Sequence, residues 1–151
     1  MDGCYKETLL EAILTKDLKK CREMLKQNCS WVINSTFVLG VKGQSPLHVA
    51  VKANSPDIVQ LFLKAGAAIN IKNVTGITPF MLALAEGNVG IADLLLSAGA
   101  SLTESDILGR SALHFACLNR IRLHQDSEVC IKMTHFLIES GVDLSHRDNV
   151  R

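Results

Sequence analysis

Apolar positions fall along the chain in short helical stripes separated by polar or glycine-containing breaks. Leu18, Cys21, Met24 and Leu25 follow one another at helical spacing. Ile58, Val59, Leu61, Phe62 and Leu63 form a second stripe, Ile91, Ala92, Leu94, Leu95 and Leu96 a third, and Met133, Phe136, Leu137 and Ile138 a fourth. The last three end before Gly66, Gly99 and Gly141, where a glycine suits the left-handed turn that stops a helix. Shorter stripes precede them, at Leu9, Leu10, Ala12, Ile13 and Leu14 and at Pro46–Ala53. The pattern predicts helix pairs rather than alternating strands.

The pairs carry a repeated motif. Gly43-Gln44-Ser45-Pro46-Leu47-His48-Val49-Ala50 returns as Gly76-Ile77-Thr78-Pro79-Phe80-Met81-Leu82-Ala83 and as Gly109-Arg110-Ser111-Ala112-Leu113-His114-Phe115-Ala116. The spacing is 76 − 43 = 33 and 109 − 76 = 33. A fixed period of this length belongs to stacked repeats, in which each unit buries its apolar face on its neighbours. Pro46 and Pro56 suit first helical turns, and Ser55 and Asp57 suit a cap and the positive helix end. Asp17 is expected to cap the helix that starts at Leu18.

The motif and its period resemble the ankyrin repeat, whose signature is Thr-Pro-Leu-His-x-Ala. The resemblance spans roughly residues 5–151 and is strongest over 43–116. It implies an all-α ankyrin-repeat solenoid of helix pairs with short β-hairpin fingers. It also implies hydrogen bonds around the turn between Ser45 and His48 and between Ser111 and His114; Met81 cannot supply the matching bond to Thr78.

On this reading residues 1–151 are one domain. Residues 1–34 are a charged N-terminal capping repeat, and 35–42 a connecting finger that either packs on its neighbour or forms a contact loop. Residues 43–75 and 76–108 are repeats. Residues 109–151 hold a third repeat with an insertion near 120–128, since Gly141 lies 141 − 99 = 42 after Gly99, followed by the start of a further finger. The array is expected to be either the front part of a longer one or a piece cut at a repeat boundary.

Composition narrows the function. The chain is 48% hydrophobic and 21% charged, with a net charge of +1, so it can bury a core and offers no global attraction to nucleic acid. No run approaches the roughly 18 apolar residues of a membrane span. Five cysteines without framework spacing, and no secretory leader pattern at the N-terminus, point to reduced thiols in a cytoplasmic or nuclear protein. No cofactor, metal or catalytic constellation is expected, and the chain reads as a non-enzyme: Cys21 and Cys29, or Cys117 and Cys130, lack zinc spacings, and His114 beside Cys117 is accounted for by the motif.

The resemblance implies that residues beside the motif glycine and after the motif helix line a concave, protein-binding face. The candidates are Val41, Lys42, Lys52, Lys72, Val74, Ile77, Ile107, Leu108, Arg110 and Leu118, with Arg120 and Arg122 from the insertion. Gln44 belongs to the same set by position. Val74, Ile77, Ile107, Leu108 and Leu118 either bury on neighbouring fingers or form an exposed apolar strip. Lys42, Lys52, Lys72 and Arg110 would rim that strip and favour a partner segment with apolar anchors and acidic flanks. The insertion is either a solvated loop or a specificity element. The expected function is a protein-interaction module. The alternatives are a regulatory, inhibitory subunit of an enzyme such as a kinase, or the substrate-recruiting arm of a larger scaffold or ubiquitin ligase.

Overall fold

The computed structural model describes residues 2–27, 30–36, 43–122 and 127–141, with side chains described there except at 2–4, 30, 119–122, 127–130 and 133. Nine helices lie among the described residues: α1 (Asp2–Leu14), α2 (Leu18–Lys26), α3 (Ser30–Ile33), α4 (Pro46–Lys52), α5 (Pro56–Lys64), α6 (Pro79–Ala85), α7 (Val89–Ser97), α8 (Ala112–Arg122) and α9 (Ser127–Glu139). They pair as α1 with α2, α4 with α5, α6 with α7 and α8 with α9. The first helices α1, α4, α6 and α8 pack in order as one layer, and α2, α5 and α7 as a second.

Local chemistry sets the helix starts. Asp17 caps α2 by accepting from Lys20 N at 3.0 Å. Ser45 caps α4, and Thr78 caps α6 by accepting from Met81 N at 3.3 Å. Pro46 and Pro79 each occupy the first turn, where no backbone donor is needed. Ser55 differs from expectation. It precedes α5 but makes no side-chain cap, and its hydroxyl donates back to the Ala53 carbonyl at 3.4 Å. The helix instead starts on Pro56 with Asp57 in its positive first turn.

The helix ends follow the glycines. Past Gly66, at φ +90°, Ala67 N donates to Phe62 O at 3.0 Å; past Gly99, at φ +97°, Ala100 N donates to Leu95 O at 3.0 Å. These are the reversed bonds of a left-handed helix stop. The core runs the length of the stack through Leu9, Ile13, Leu47, Phe62, Phe80, Leu84, Leu95 and Leu137, each at most 1% exposed. No single helix pair supplies enough apolar surface for this, so the layers depend on one another.

The expectation of β-hairpin fingers is overturned. No β-strand occurs among the described residues, and extended pairing appears there as isolated bridging, between Ser105 and Ser111. The connections are tight loops closed by a side chain. In the loop before α6, the Asn73 carboxamide oxygen accepts from Thr75 N, Thr75 Oγ1 and Ile77 N at 3.0, 2.8 and 2.9 Å. Bonds from Asn73 N to Ile77 O and from Gly76 N to Asn73 O complete the turn. A side chain thus takes the donors that a cross-strand ladder would need, and the loop is too short to build one. The fold is an all-α helical repeat solenoid. Residues 37–42 of the expected connecting finger lie outside the described residues.

Candidate functional site: the loop edge

The loops between helix pairs stack on one another. A Cβ on Gly43 would collide with Val74 Cγ1, and a Cβ on Gly76 would stand 2.9 Å from Ile107 N and 3.0 Å from Asp106 Cα. Val74 and Ile107 therefore hold the same place in consecutive loops, 107 − 74 = 33 residues apart, each set over the glycine of the loop before. Ile107 N also donates to Thr75 O at 3.1 Å and ties the two loops together.

Behind the loops, buried imidazole braces the turn. His48 Nε2 lies 2.8 Å from Ile77 O, and Ser45 N and Ser45 Oγ lie 3.3 and 2.8 Å from Nδ1. A carbonyl can only accept, so Nε2 carries the proton and Nδ1 receives the serine donors. Burial pushes the His48 imidazole down from its usual 6.5 to about 4, against the opposing pull of the Ile77 carbonyl. The neutral ring is thus the structural form, joining one repeat to the next. His114 makes the same contacts to Ser111 N and Oγ, at 3.2 and 3.0 Å. Met81 fills the corresponding place between them as a buried apolar group, 1% exposed.

The candidate residues separate into distinct groups. Val74 and Ile107 are each 67% exposed and Leu108 is 42% exposed, so they make an apolar outer edge. Ile77 and Leu118 are half-buried and pack on the core. Gln44 is buried, and its Oε1 accepts no hydrogen bond from the described residues. Val41 and Lys42 lie outside the described residues, as do the side chains of Arg120 and Arg122 and residues 123–126 of the insertion.

Two of the four expected rim residues, Lys72 and Arg110, are paired within the chain. Lys72 Nζ pairs with Glu104 Oε2 at 2.8 Å and donates to Ser105 O at 3.2 Å. Arg110 grips Asp106 twice, Nε to Oδ2 at 2.8 Å and Nη2 to Oδ2 at 2.6 Å, while its guanidinium lies 5.0 Å from the Phe115 ring centre. Lys52 is exposed and makes no ion pair among the described residues. Asp106 is buried, which raises its carboxyl. The Arg110 side chain and the Arg110 and Leu108 N–H groups outweigh that and hold the carboxyl below its usual range. Reading the sequence missed Asp106 and Asn73 altogether. Their signal was present: each stands three residues before a motif glycine.

Reactive chemistry does not gather here. Among the described residues no group of three or more His, Cys, Asp or Glu is placed to hold a metal ion. No helix of the described residues is long and apolar enough to cross a membrane. Three-copy ankyrin repeats match the chain over residues 4–106 and again over 47–148. The chain belongs to the ankyrin-repeat family. Ankyrin repeats are generic scaffolds for protein–protein contact rather than catalytic folds. A probable E3 ubiquitin-protein ligase of Oryza sativa subsp. japonica, XBOS32, is 37% identical to the chain over 114 residues. That match takes in 75% of this chain and 22% of the rice protein. An ankyrin repeat protein of Rickettsia bellii (strain RML369-C) is 36% identical over 67 residues, 44% of this chain and 10% of that one. The chain thus spans at most about a fifth of the length of either relative.

Proposed function

We propose that this ankyrin array docks a partner protein on the stacked loop edge formed by Val74, Ile107 and Leu108. One observation carries the reading. Large apolar side chains stand exposed on consecutive loops, in register, while most other large apolar groups among the described residues are buried or packed on the core. Such a row gains little from the fold itself and is what a partner would cover. Affinity capture with the wild-type chain and with Ile107→Asp tests it, with folding followed by circular dichroism. Loss of a captured protein on a folded variant supports the docking edge, and an unchanged set of captured proteins removes it.

A second reading, the substrate-recruiting arm of a ubiquitin ligase, draws on the relationship to the rice protein named as such. It predicts that complexes captured on the chain ubiquitinate the bound partner when given activating and conjugating enzymes, ubiquitin and ATP. Capture without transfer removes this reading and leaves the docking edge standing. The kinase-regulator alternative draws no support from either relative.

A further inference from the structure

We infer that the partner presents an amphipathic helix, with an uncharged apolar stripe, to the loop edge; this rests on the docking surface assigned above. Three features of the edge decide the class of partner. The first is its backbone. Thr75 N and Ile77 N donate to Asn73 Oδ1 at 3.0 and 2.9 Å, and Gly76 N donates to Asn73 O at 2.9 Å. In the next loop Leu108 N and Arg110 N donate to Asp106 Oδ1 at 3.0 and 2.8 Å, and Gly109 N donates to Asp106 O at 3.0 Å. Ile107 N is held by Thr75 O at 3.1 Å. Seven N–H groups along the edge are therefore already engaged. An extended peptide joins an edge by exchanging backbone bonds and needs such donors free. A helix satisfies its own backbone and asks for none.

Charge is the second feature. Lys72 and Arg110 face Glu104 and Asp106 of their own chain, so these two pairs beside Val74, Ile107 and Leu108 carry no net charge. A partner with acidic flanks would have to displace Glu104 or Asp106, and the Asp106 carboxylate also closes its loop. The complementary partner is uncharged where it meets the row.

The third feature is spacing. Val74 and Ile107 repeat the same place on consecutive loops, and Leu108 extends the row beside Ile107. A helix crossing the loops brings apolar side chains to one face every three to four residues, which is how a helix engages a row of this kind.

The test pans the whole chain against two displayed peptide libraries. One holds helix-forming sequences with a fixed Leu/Ile stripe and randomised polar positions. The other holds random extended sequences enriched in Asp and Glu. Selected peptides are then titrated against the wild type, Ile107→Asp and Leu108→Asp, at about 50 and about 500 mM salt, a range over which exposed charge pairs are strongly screened. Helical binders are expected. Their affinity should change by less than about twofold across the salt range and fall by about tenfold or more on either substitution. Acidic, extended binders that weaken in salt but still lose affinity on Ile107→Asp would overturn the partner class while keeping the docking edge. Failure of both libraries, or binders indifferent to both substitutions on folded protein, would overturn the class and the edge together.

Discussion

Asn73 and Asp106, one repeat apart, close their loops in the same way: each offers one side-chain oxygen to the N–H groups two and four residues ahead. An amide and a carboxylate are interchangeable in that role, because the bonds use a single acceptor oxygen. Asp106→Asn is therefore expected to keep the loop and to lose mainly the Arg110 ion pair, at about 1 kcal/mol. Asn73→Ala removes the acceptor of Thr75 N, Thr75 Oγ1 and Ile77 N together and is expected to cost about 2–3 kcal/mol. Urea denaturation of the two variants beside the wild type checks the ordering.

Stability should fall between pH 6.5 and about 4 through His48. The folded chain holds this ring neutral until about pH 4, while the unfolded chain protonates it near its usual 6.5. Above that range both states carry a neutral ring and nothing changes. Within it the unfolded state binds more protons, so acid favours unfolding, by on the order of 3 kcal/mol across the window. Met81→His should be tolerated at pH 8, within about 1 kcal/mol. It should steepen the acid loss, because a second buried ring then resists protonation. Chemical denaturation at half-unit pH steps measures both slopes, and an unchanged slope in the variant would show that its ring stays solvated.

Two glycines with similar backbone angles should respond very differently to alanine. Gly66, at φ +90°, has nothing within 4 Å of an added Cβ, so alanine meets only the left-handed penalty of about 1–2 kcal/mol. Gly76, at φ +78°, has the backbone of Asp106 and Ile107 at 2.9–3.1 Å, and backbone cannot swing aside. Gly76→Ala is expected to cost at least about 2 kcal/mol more than Gly66→Ala, with strain in the loop added to the overpacking. Thermal unfolding of the pair reads the difference.

Cys21 and Cys117 should part in alkylation. Cys21 is buried in α2, and burial, followed by the nearby Asp17 carboxylate, pushes its thiol up to about 11. Cys117 lies exposed on α8. Brief iodoacetamide treatment of the folded chain at pH 8, followed by peptide mass spectrometry, should modify Cys117 well before Cys21. In urea the two should react alike.

The architecture was legible because every repeat meets the same neighbours, so the same residue types recur every 33 positions. Pro46 and Pro56 announced helix starts that the structure contains. The loops read poorly. The ankyrin resemblance implied hairpins there, yet Asn73 and Asp106 supply by side chain what strands would supply by ladder. The four-residue helix α3 is too short for any periodicity to mark. The charge of the candidate site was the least visible. Lys72 finds Glu104 at a separation of 104 − 72 = 32 residues, a pairing that only the stacking of repeats creates. Two of the four basic rim residues seen along the chain, Lys72 and Arg110, are therefore paired within the fold.

Amide hydrogen exchange on the chain alone and in complex with its captured partner addresses the docking edge most directly. Binding should add protection over residues 72–77 and 104–111, the two loops that carry Val74, Ile107 and Leu108. Added protection confined to α5, α7 and α9, with those loops unchanged, would contradict it.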